Sequence, residues 1–398
     1  MKILMLGWEL PPYNTGGLGV ACYHLCKALS SDGVDIEFVV PYHERHDAID
    51  FMQITAALPD SATRMQLTGG AYASDHFEIS GLRAQQAAYT TAVRERAQRQ
   101  DYDAIHAHDW LTFEAGMAAK QLTRKPLIAH VHATEFDRAG ERYGNPIVHD
   151  IESAALCMAD EIVAVSQATK ATIVREYHIP ADKIEVVHNS IDANQLQPLD
   201  AENCYRYLTA MKKLGYTVVT NVGRLTVQKG LTHLLHAAKL ALAKQPKLLF
   251  LLAGIGEQYH ELLELGAELG ISESIIFTGE FARGKAWRDA FAVGDVFVLP
   301  SVTEPFGITV LEAIGYGTPA LVSRQAGVRE VVRNVLTFDC WDTQKLADQL
   351  VALADHHSLR STLAENAQAE LRGLSWSQAA EHCRRLYDTL LERQEVLA

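Results

Sequence analysis

Residues 296–312 read Val-Phe-Val-Leu-Pro-Ser-Val-Thr-Glu-Pro-Phe-Gly-Ile-Thr-Val-Leu-Glu. The first four form a short, wholly apolar run that fits a strand buried on both faces. From Thr309 the apolar positions take on helical spacing, so the stretch is a strand, a loop and a helix in succession. Pro305 biases Glu304 toward an extended backbone, which keeps its carboxylate in the loop. Gly307, Ile308 and Thr309 open the helix, where amides without a helical partner can hold a phosphate. Glu312 lies one to two turns in, placed to accept hydrogen bonds from vicinal hydroxyls such as those of ribose.

The same strand-then-helix unit recurs in both directions. Upstream it is read at Lys2–Leu6 with 18–29, Asp35–Val40, 82–100, 104–107 with 111–121, 127–131, 147–158, 161–165 with 168–177, and 184–187. The pattern breaks at His188-Asn189-Ser190-Ile191-Asp192 and restarts at Thr217–Val222, then continues through Val335–Phe338. Two helical stretches close the chain, at 343–371 with a break near His357 and at 375–394. Strands alternating with helices of this length predict an α/β protein, with helices covering both faces of parallel sheets. Two doubly wound, Rossmann-like domains are expected, over 1–192 and 193–374, with the last helix, 375–398, crossing back to the first. His43 to Gly81 reads as an irregular insertion, and 193–215 as polar and weakly periodic.

The chain has 398 residues, 48% apolar and 21% charged, which excludes collagen-like, coiled-coil and wholly disordered classes. Lys and Arg number 36 against 49 Asp and Glu, a net charge of −13. That sign is wrong for a dedicated nucleic-acid or anionic-membrane binder. The six cysteines are scattered without a C-x-x-C pair, and no apolar run approaches the ~18 residues needed to span a membrane. A reduced, cytoplasmic setting is expected.

In a doubly wound sheet, ligands sit beyond the carboxyl ends of the strands, so the remaining junctions are the candidates for chemistry. After the first strand comes Pro11-Pro12-Tyr13-Asn14-Thr15-Gly16-Gly17-Leu18-Gly19, where Gly16 and Gly17 let amides approach an anion. Its spacing departs from the dinucleotide fingerprint, which argues against a nicotinamide cofactor. His106-Ala107-His108-Asp109-Trp110 and His130-Val131-His132 each carry an H-x-H pair. These suit core histidines or the polar lining of a sugar-sized cleft better than a metal, because neither an H-E-x-x-H nor an adjacent cysteine supplies further ligands. Gly223-Arg224, with Lys229 five residues on, sets a guanidinium and an ammonium beside a helix start, which suits a diphosphate. Ala253-Gly254-Ile255-Gly256 is a weaker glycine junction of the same kind.

Taken in order, these motifs resemble those of the retaining GT-B glycosyltransferases of the fourth family, the group containing glycogen and sucrose synthases. Glu304-Pro305-Phe306-Gly307-Ile308-Thr309-Val310-Leu311-Glu312 is similar to its E-x7-E motif, Arg224 and Lys229 to its diphosphate-binding pair, and Gly16-Gly17-Leu18-Gly19 to its N-terminal glycine loop. The resemblance implies a GT-B fold with a cleft between two Rossmann-like domains. The implied activity moves a sugar, expected to be glucose, from a UDP or ADP sugar to a carbohydrate acceptor such as an α-glucan.

It also implies roles for individual residues. His132, Arg224, Lys229 and Glu304 would be catalytic. Gly16, Gly17, Asp109, Gly223, Gly254, Phe306, Gly307, Ile308, Thr309 and Glu312 would bind the donor. No metal or other cofactor is expected. Asn14 stands where glucan synthases of the bacterial type place the lysine of Lys-x-Gly-Gly, a departure that bears on the acceptor. A GT-B epimerase and a non-catalytic sugar- or nucleotide-binding protein are the competing readings.

Overall fold

A computed structural model of the chain describes residues 1–13, 16–58, 79–140, 144–192, 196–279 and 284–397. It divides into two compact units, one formed by Met1–Asn189 with Trp376–Ala398 and the other by Ser190–Ser375.

The first unit runs β1 (Lys2–Leu6), α1 (Gly17–Ser31), β2 (Asp35–Val40), β3 (Gln53–Ala56), α2 (Ile79–Arg99), β4 (Ala104–His108) and α3 (Trp110–Thr123). It continues through β5 (Leu127–Val131), the one-turn α4 (Glu135–Arg138), α5 (Pro146–Met158), β6 (Glu161–Ala164), α6 (Gln167–Tyr177) and β7 (Ile184–Val186). The second contains α7 (Arg206–Lys213), β8 (Thr217–Val222), α8 (Leu231–Lys244), β9 (Leu248–Ala253), α9 (Tyr259–Glu268), β10 (Ile275–Phe277) and α10 (Lys285–Val293). β11 (Val296–Leu299), α11 (Ile308–Gly315), β12 (Ala320–Ser323), β13 (Leu336–Phe338), α12 (Thr343–Asp355) and α13 (His357–Leu371) complete it. The last helix, α14 (Trp376–Leu397), belongs to the first unit.

Every strand pairing is parallel. The sheet orders are β3-β2-β1-β4-β5-β6-β7 and β10-β9-β8-β11-β12-β13. Each chain path starts mid-sheet, winds outward, then returns to the other side of its first strand. The crevice left at that reversal is the usual ligand position of such sheets. It lies between the loops after β1 and β4 in the first unit, and after β8 and β11 in the second.

Two stretches differ from the sequence expectation. Within 43–81, Gln53–Ala56 forms β3 beside β2 and α2 begins at Ile79; positions 59–78 fall outside the described residues. Gln-Ile-Thr-Ala is too short to show a period, and its order comes from pairing with Glu37–Val40. Within 193–215, Arg206–Lys213 is an eight-residue helix whose one buried side chain is Leu208.

Two glycines hold the carboxyl edge of the second sheet tightly closed. Gly254, at φ +156°, passes so near β8 that a Cβ there would stand 1.8 Å from the Gly223 carbonyl oxygen. Gly230, at φ +63°, would place one 2.1 Å from the Pro300 carbonyl oxygen. Both obstructions are backbone and cannot step aside. Gly254→Ala or Gly230→Ala should therefore lower unfolding free energy by about 1–3 kcal/mol or more. Gly81→Ala, in a helix with nothing within 4 Å of the new methyl, should be neutral or slightly stabilising. Urea titration of the three variants checks this ordering.

Candidate active site

In the second unit, the loops after β8 and β11 are tied together at the switch point. The amide of Val302 donates to the Gln228 carbonyl, 2.9 Å away, and Gly230 permits the close passage beside Pro300. This brings the Lys229 ammonium to 2.6 Å from Glu304 Oε2, with both side chains largely buried. Ser301 Oγ donates to the same carboxylate oxygen at 2.9 Å. The Glu304 backbone is held extended as well: it forms a one-residue parallel bridge with Ala326, and its carbonyl accepts the Gly327 amide at 3.0 Å.

Gly307, in the left-handed region at φ +104°, turns the chain into α11 and leaves the Glu304 side chain room. Ile308 and Thr309 are the half-buried first residues of that helix. Phe306 is 3% exposed, and its carbonyl accepts the Val328 amide at 2.7 Å. It anchors the loop to the core.

Glu312 faces α10, where the indole Nε1 of Trp287 donates to Oε1 at 3.3 Å. Arg224 is half-buried on the turn that carries Lys229, between Gly223 and the buried Leu225. Gly223 and Gly254 form the close approach at the ends of β8 and β9, and the Gly254 amide donates to Thr278 Oγ1 at 3.0 Å.

In the first unit, Gly16 caps α1 and exposed Gly17 begins it, while Asn14 and Thr15 lie outside the described residues. Asp109 follows β4 at φ +58°. Its carboxylate turns inward, with Oδ1 accepting from the amides of His132, at 2.6 Å, and Ala133, at 3.3 Å. Burial raises its pKa to about 7 against the opposing pull of Arg138 and these amides. Asp109 thus shapes the loop that carries His132.

The rest of that loop is built on a buried ionic cluster. Arg138 pairs with Glu135 at 3.1 Å and with Glu152, donates to the Ala133 carbonyl at 2.8 Å, and Tyr177 donates to Glu152. Thr134 and Asp137 close a reciprocal cap over the short α4.

The two H-x-H pairs form one quartet, in which His106, His108 and His130 are buried and His132 is half-buried. Alternate residues of a strand share a face, and here β4 and β5 present His106, His108, His130 and His132 to one another. The rings of His130 and His132 stack at 4.3 Å between centroids, those of His106 and His108 at 4.6 Å. Burial drives His106 and His132 down to about 3, and His108 and His130 well below their usual range.

Among the described residues, two sets bring donor atoms within 4.8 Å of each other: His106, His108 and His130, and Cys22, His108 and His132. Such nitrogen and sulfur sets could hold a borderline-soft ion. Here the nitrogens engage one another, His106 Nε2 to His130 Nδ1 at 3.1 Å and His108 Nδ1 to His132 Nε2 at 3.0 Å. An Asp-x-Asp spacing does occur at 101–103, but at the amino edge of β4. Asp103 there accepts from the Lys2 amide and Asp101 pairs with Lys125.

Ser301, Trp287 and Tyr387 were not among the sequence candidates. Ser301 precedes Glu304 by three residues in the same loop and could have been noticed there. Trp287 and Tyr387 reach Glu312 and His106 across 25 and 281 residues, and no local pattern marks them.

Two doubly wound parallel-sheet units, the second with a basic side chain and a carboxylate joined at its switch point, define a two-unit α/β protein of the Rossmann-like class. The family model for Glycosyltransferase Family 4 matches residues 15–195, and that for Glycosyl transferases group 1 matches 210–370. A glycosyltransferase of Methanocaldococcus jannaschii is 27% identical over 98% of this chain and 99% of its own. The glycogen synthase of Mycobacterium tuberculosis is 27% identical over 84% of this chain and 80% of its own. The D-inositol 3-phosphate glycosyltransferase of Salinispora arenicola is 27% identical over 94% and 87%.

Among solved structures, sucrose-phosphate synthase from Thermosynechococcus elongatus superposes with a TM-score of 0.78 at 19% identity, over 98% of this chain and 99% of that one. An Anabaena protein in complex with UDP-glucose gives 0.74 at 19%, over 98% and 100%. The chain belongs to the GT-B glycosyltransferases of the fourth family, enzymes that transfer a sugar from a nucleotide sugar.

The quartet has a consequence for stability. A histidine whose folded pKa lies below its unfolded value, about 6.5, costs stability as pH falls between the two, because the unfolded chain binds the proton first. Asp109, with its folded pKa raised, runs in the opposite direction below pH 7. Four histidines outweigh it, and stability should fall by roughly 2–3 kcal/mol between pH 6.5 and 5.5. Urea midpoints at the two pH values check this, with a smaller drop expected for His130→Gln.

Proposed function

We propose that the enzyme transfers glucose from UDP-glucose or ADP-glucose to an α-glucan type of acceptor, with retention at the anomeric carbon and without a divalent metal. The observation that carries this reading is the Lys229–Glu304 pair, 2.6 Å apart at the switch point of the second unit. A carboxylate beside a fixed ammonium can accept from sugar hydroxyls with less repulsion of the adjoining diphosphate. Arg224 and Lys229 stabilise the negative charge that grows on the departing diphosphate, a task for which other enzymes use a metal ion.

The amides at Gly307–Thr309 assist, Glu312 holds the ribose, and Gly16, Gly17, Gly223 and Gly254 let backbone approach the donor. His132 contacts the transferring sugar. Glu304, tied to Lys229 and Ser301 through one oxygen, is poorly prepared to act as a nucleophile. Front-face attack assisted by the leaving phosphate therefore suits these residues better than a covalent intermediate.

The Anabaena complex with UDP-glucose and the mycobacterial glycogen synthase support the choice of donor and acceptor. The inositol-phosphate relatives make a phosphorylated polyol the competing acceptor. A cytoplasmic setting accords with six cysteines outside any disulfide and, among the described residues, no helix long and apolar enough to cross a membrane.

A donor panel of UDP-, ADP- and GDP-glucose, scored for nucleotide release, tests the reading. Release from UDP- or ADP-glucose is expected, stimulated by malto-oligosaccharide and unaffected by EDTA. Stimulation by D-inositol 3-phosphate alone would reassign the acceptor. Nucleotide binding with no turnover of any donor would sink the enzymatic reading.

Single variants separate the roles. Arg224→Ala and Lys229→Ala should lower kcat by ~10²-fold or more, because the charge they face increases in the transition state. Glu312→Gln should chiefly raise the donor KM, a loss of uniform binding. Lys229→Ala combined with Glu304→Gln should cost little more than the worse single change, since the two act as one unit.

A further inference from the structure

We propose that Met5 and His108 are positioning residues that fix His132 as its Nε2–H tautomer and so present Nδ1 as a hydrogen-bond acceptor to a hydroxyl of the transferring sugar. This rests on the reading above that His132 meets the sugar. The assignment follows from the chemistry of each atom in a short chain. The Met5 thioether has lone pairs and no proton. His108 Nε2 lies 3.0 Å from Met5 Sδ, so that nitrogen carries the ring proton. His106, His108 and His130 are buried, His132 is half-buried, and the rings are uncharged, which leaves one proton per ring, so that His108 Nδ1 is a bare acceptor. It faces His132 Nε2 at 3.0 Å, which must donate. His132 Nδ1 is then the remaining lone pair, buried and without a partner among the described residues.

The chain is rigid for structural reasons. Met5 and His108 lie on adjacent paired strands, and His132 directly follows β5, beside β4. The His132 amide is held by Asp109, and its ring lies against that of His130, 15° from parallel. Rotating the ring by half a turn would break the bond to His108. Cys22 Sγ, also within 4.8 Å of the donor atoms, is an uncharged thiol because burial raises its pKa.

The neighbouring pair has no such direction. His106 Nδ1 meets the Tyr387 hydroxyl at 2.6 Å, and a hydroxyl can either donate or accept. Only the chain that ends on sulfur is polarised.

A neutral acceptor is useful at this position. A sugar that acquires oxocarbenium character makes its hydroxyls stronger donors, so a contact to Nδ1 tightens as the glycosidic bond breaks. An imidazolium would instead set positive charge against positive charge. The contact should therefore appear mainly in kcat.

The test begins with the full chain, its histidines labelled with nitrogen-15, read by long-range proton–nitrogen correlation without ligand. The His132 ring, assigned from the peaks lost in His132→Ala, should carry its proton on Nε2 with a bare Nδ1. A proton on Nδ1 in the wild-type chain would overturn the proposal with no variant needed. Met5→Leu keeps the volume of the core and removes the sulfur acceptor. It should mix the His132 tautomers and lower kcat with UDP-glucose about fivefold, the worth of one hydrogen bond, while leaving the UDP dissociation constant unchanged. A mixed spectrum with unchanged kcat would also overturn it. If His132→Ala turns over like wild type while the wild-type spectrum is as expected, the sugar contact itself fails, and the proposal's functional half falls with it.

Discussion

A parallel strand cannot reach its neighbour through a tight turn, because the chain must travel back along the whole sheet before pairing again. Each strand here is therefore followed by a helix or long crossover, and the strand-to-helix loops collect along one edge. Lys229 and Glu304 are 75 residues apart, yet they meet because β8 and β11 are sheet neighbours on either side of a reversal in winding order. The close passages at Gly230 and Gly254 are the fine adjustment of the same constraint. They press the ends of β8, β9 and β11 together until side chains at the loop tips come within bonding distance.

The two units handle buried polarity in opposite ways. Around Glu304 and Lys229, charge is kept and neutralised locally by an ion pair and a hydroxyl, as it must be when charged groups leave water. Around His106, His108, His130 and His132, charge is refused. Four rings share one face of a sheet, burial suppresses their protonation, and each hydrogen bond then needs a definite donor. A cluster of this kind is sensitive to direction, and Met5, an apolar residue by composition, has an influence through its sulfur that its class would not suggest. The Arg138 cluster beside it returns to the first solution, with Glu135, Glu152 and the Ala133 carbonyl satisfying one guanidinium while Tyr177 donates to Glu152.

Legibility in the sequence followed the strength of the local signal. Val296–Leu299, Leu248–Ala253 and Leu127–Val131 are apolar runs of strand length, and the structure forms strands over those residues. The break near His357 was readable because polar residues interrupt an otherwise helical spacing, and two helices meet there. Gln53–Ala56 and Arg206–Lys213 were not read, the first because four residues are too few to show a period and the second because it is a helix of only eight residues within a polar stretch. Phe306 and Asp109 show a further limit. A motif gives their positions along the chain, while only the fold decides that Phe306 is buried and that the Asp109 carboxylate accepts from backbone amides.

What the sequence determined by itself was the alternation of strand and helix, the renewal of that pattern past residue 192, and the residue types available at each junction. These depend on short-range spacing and on the conformational habits of glycine and proline, which neighbours along the chain already express. Sheet order, and with it the meeting of Lys229 with Glu304, of Trp287 with Glu312 and of Tyr387 with His106, was decided by tertiary structure alone. So was the direction of the His108–His132 hydrogen bond. Such contacts join residues tens to hundreds of positions apart, and a side chain's protonation and orientation depend on partners that only the packed fold supplies.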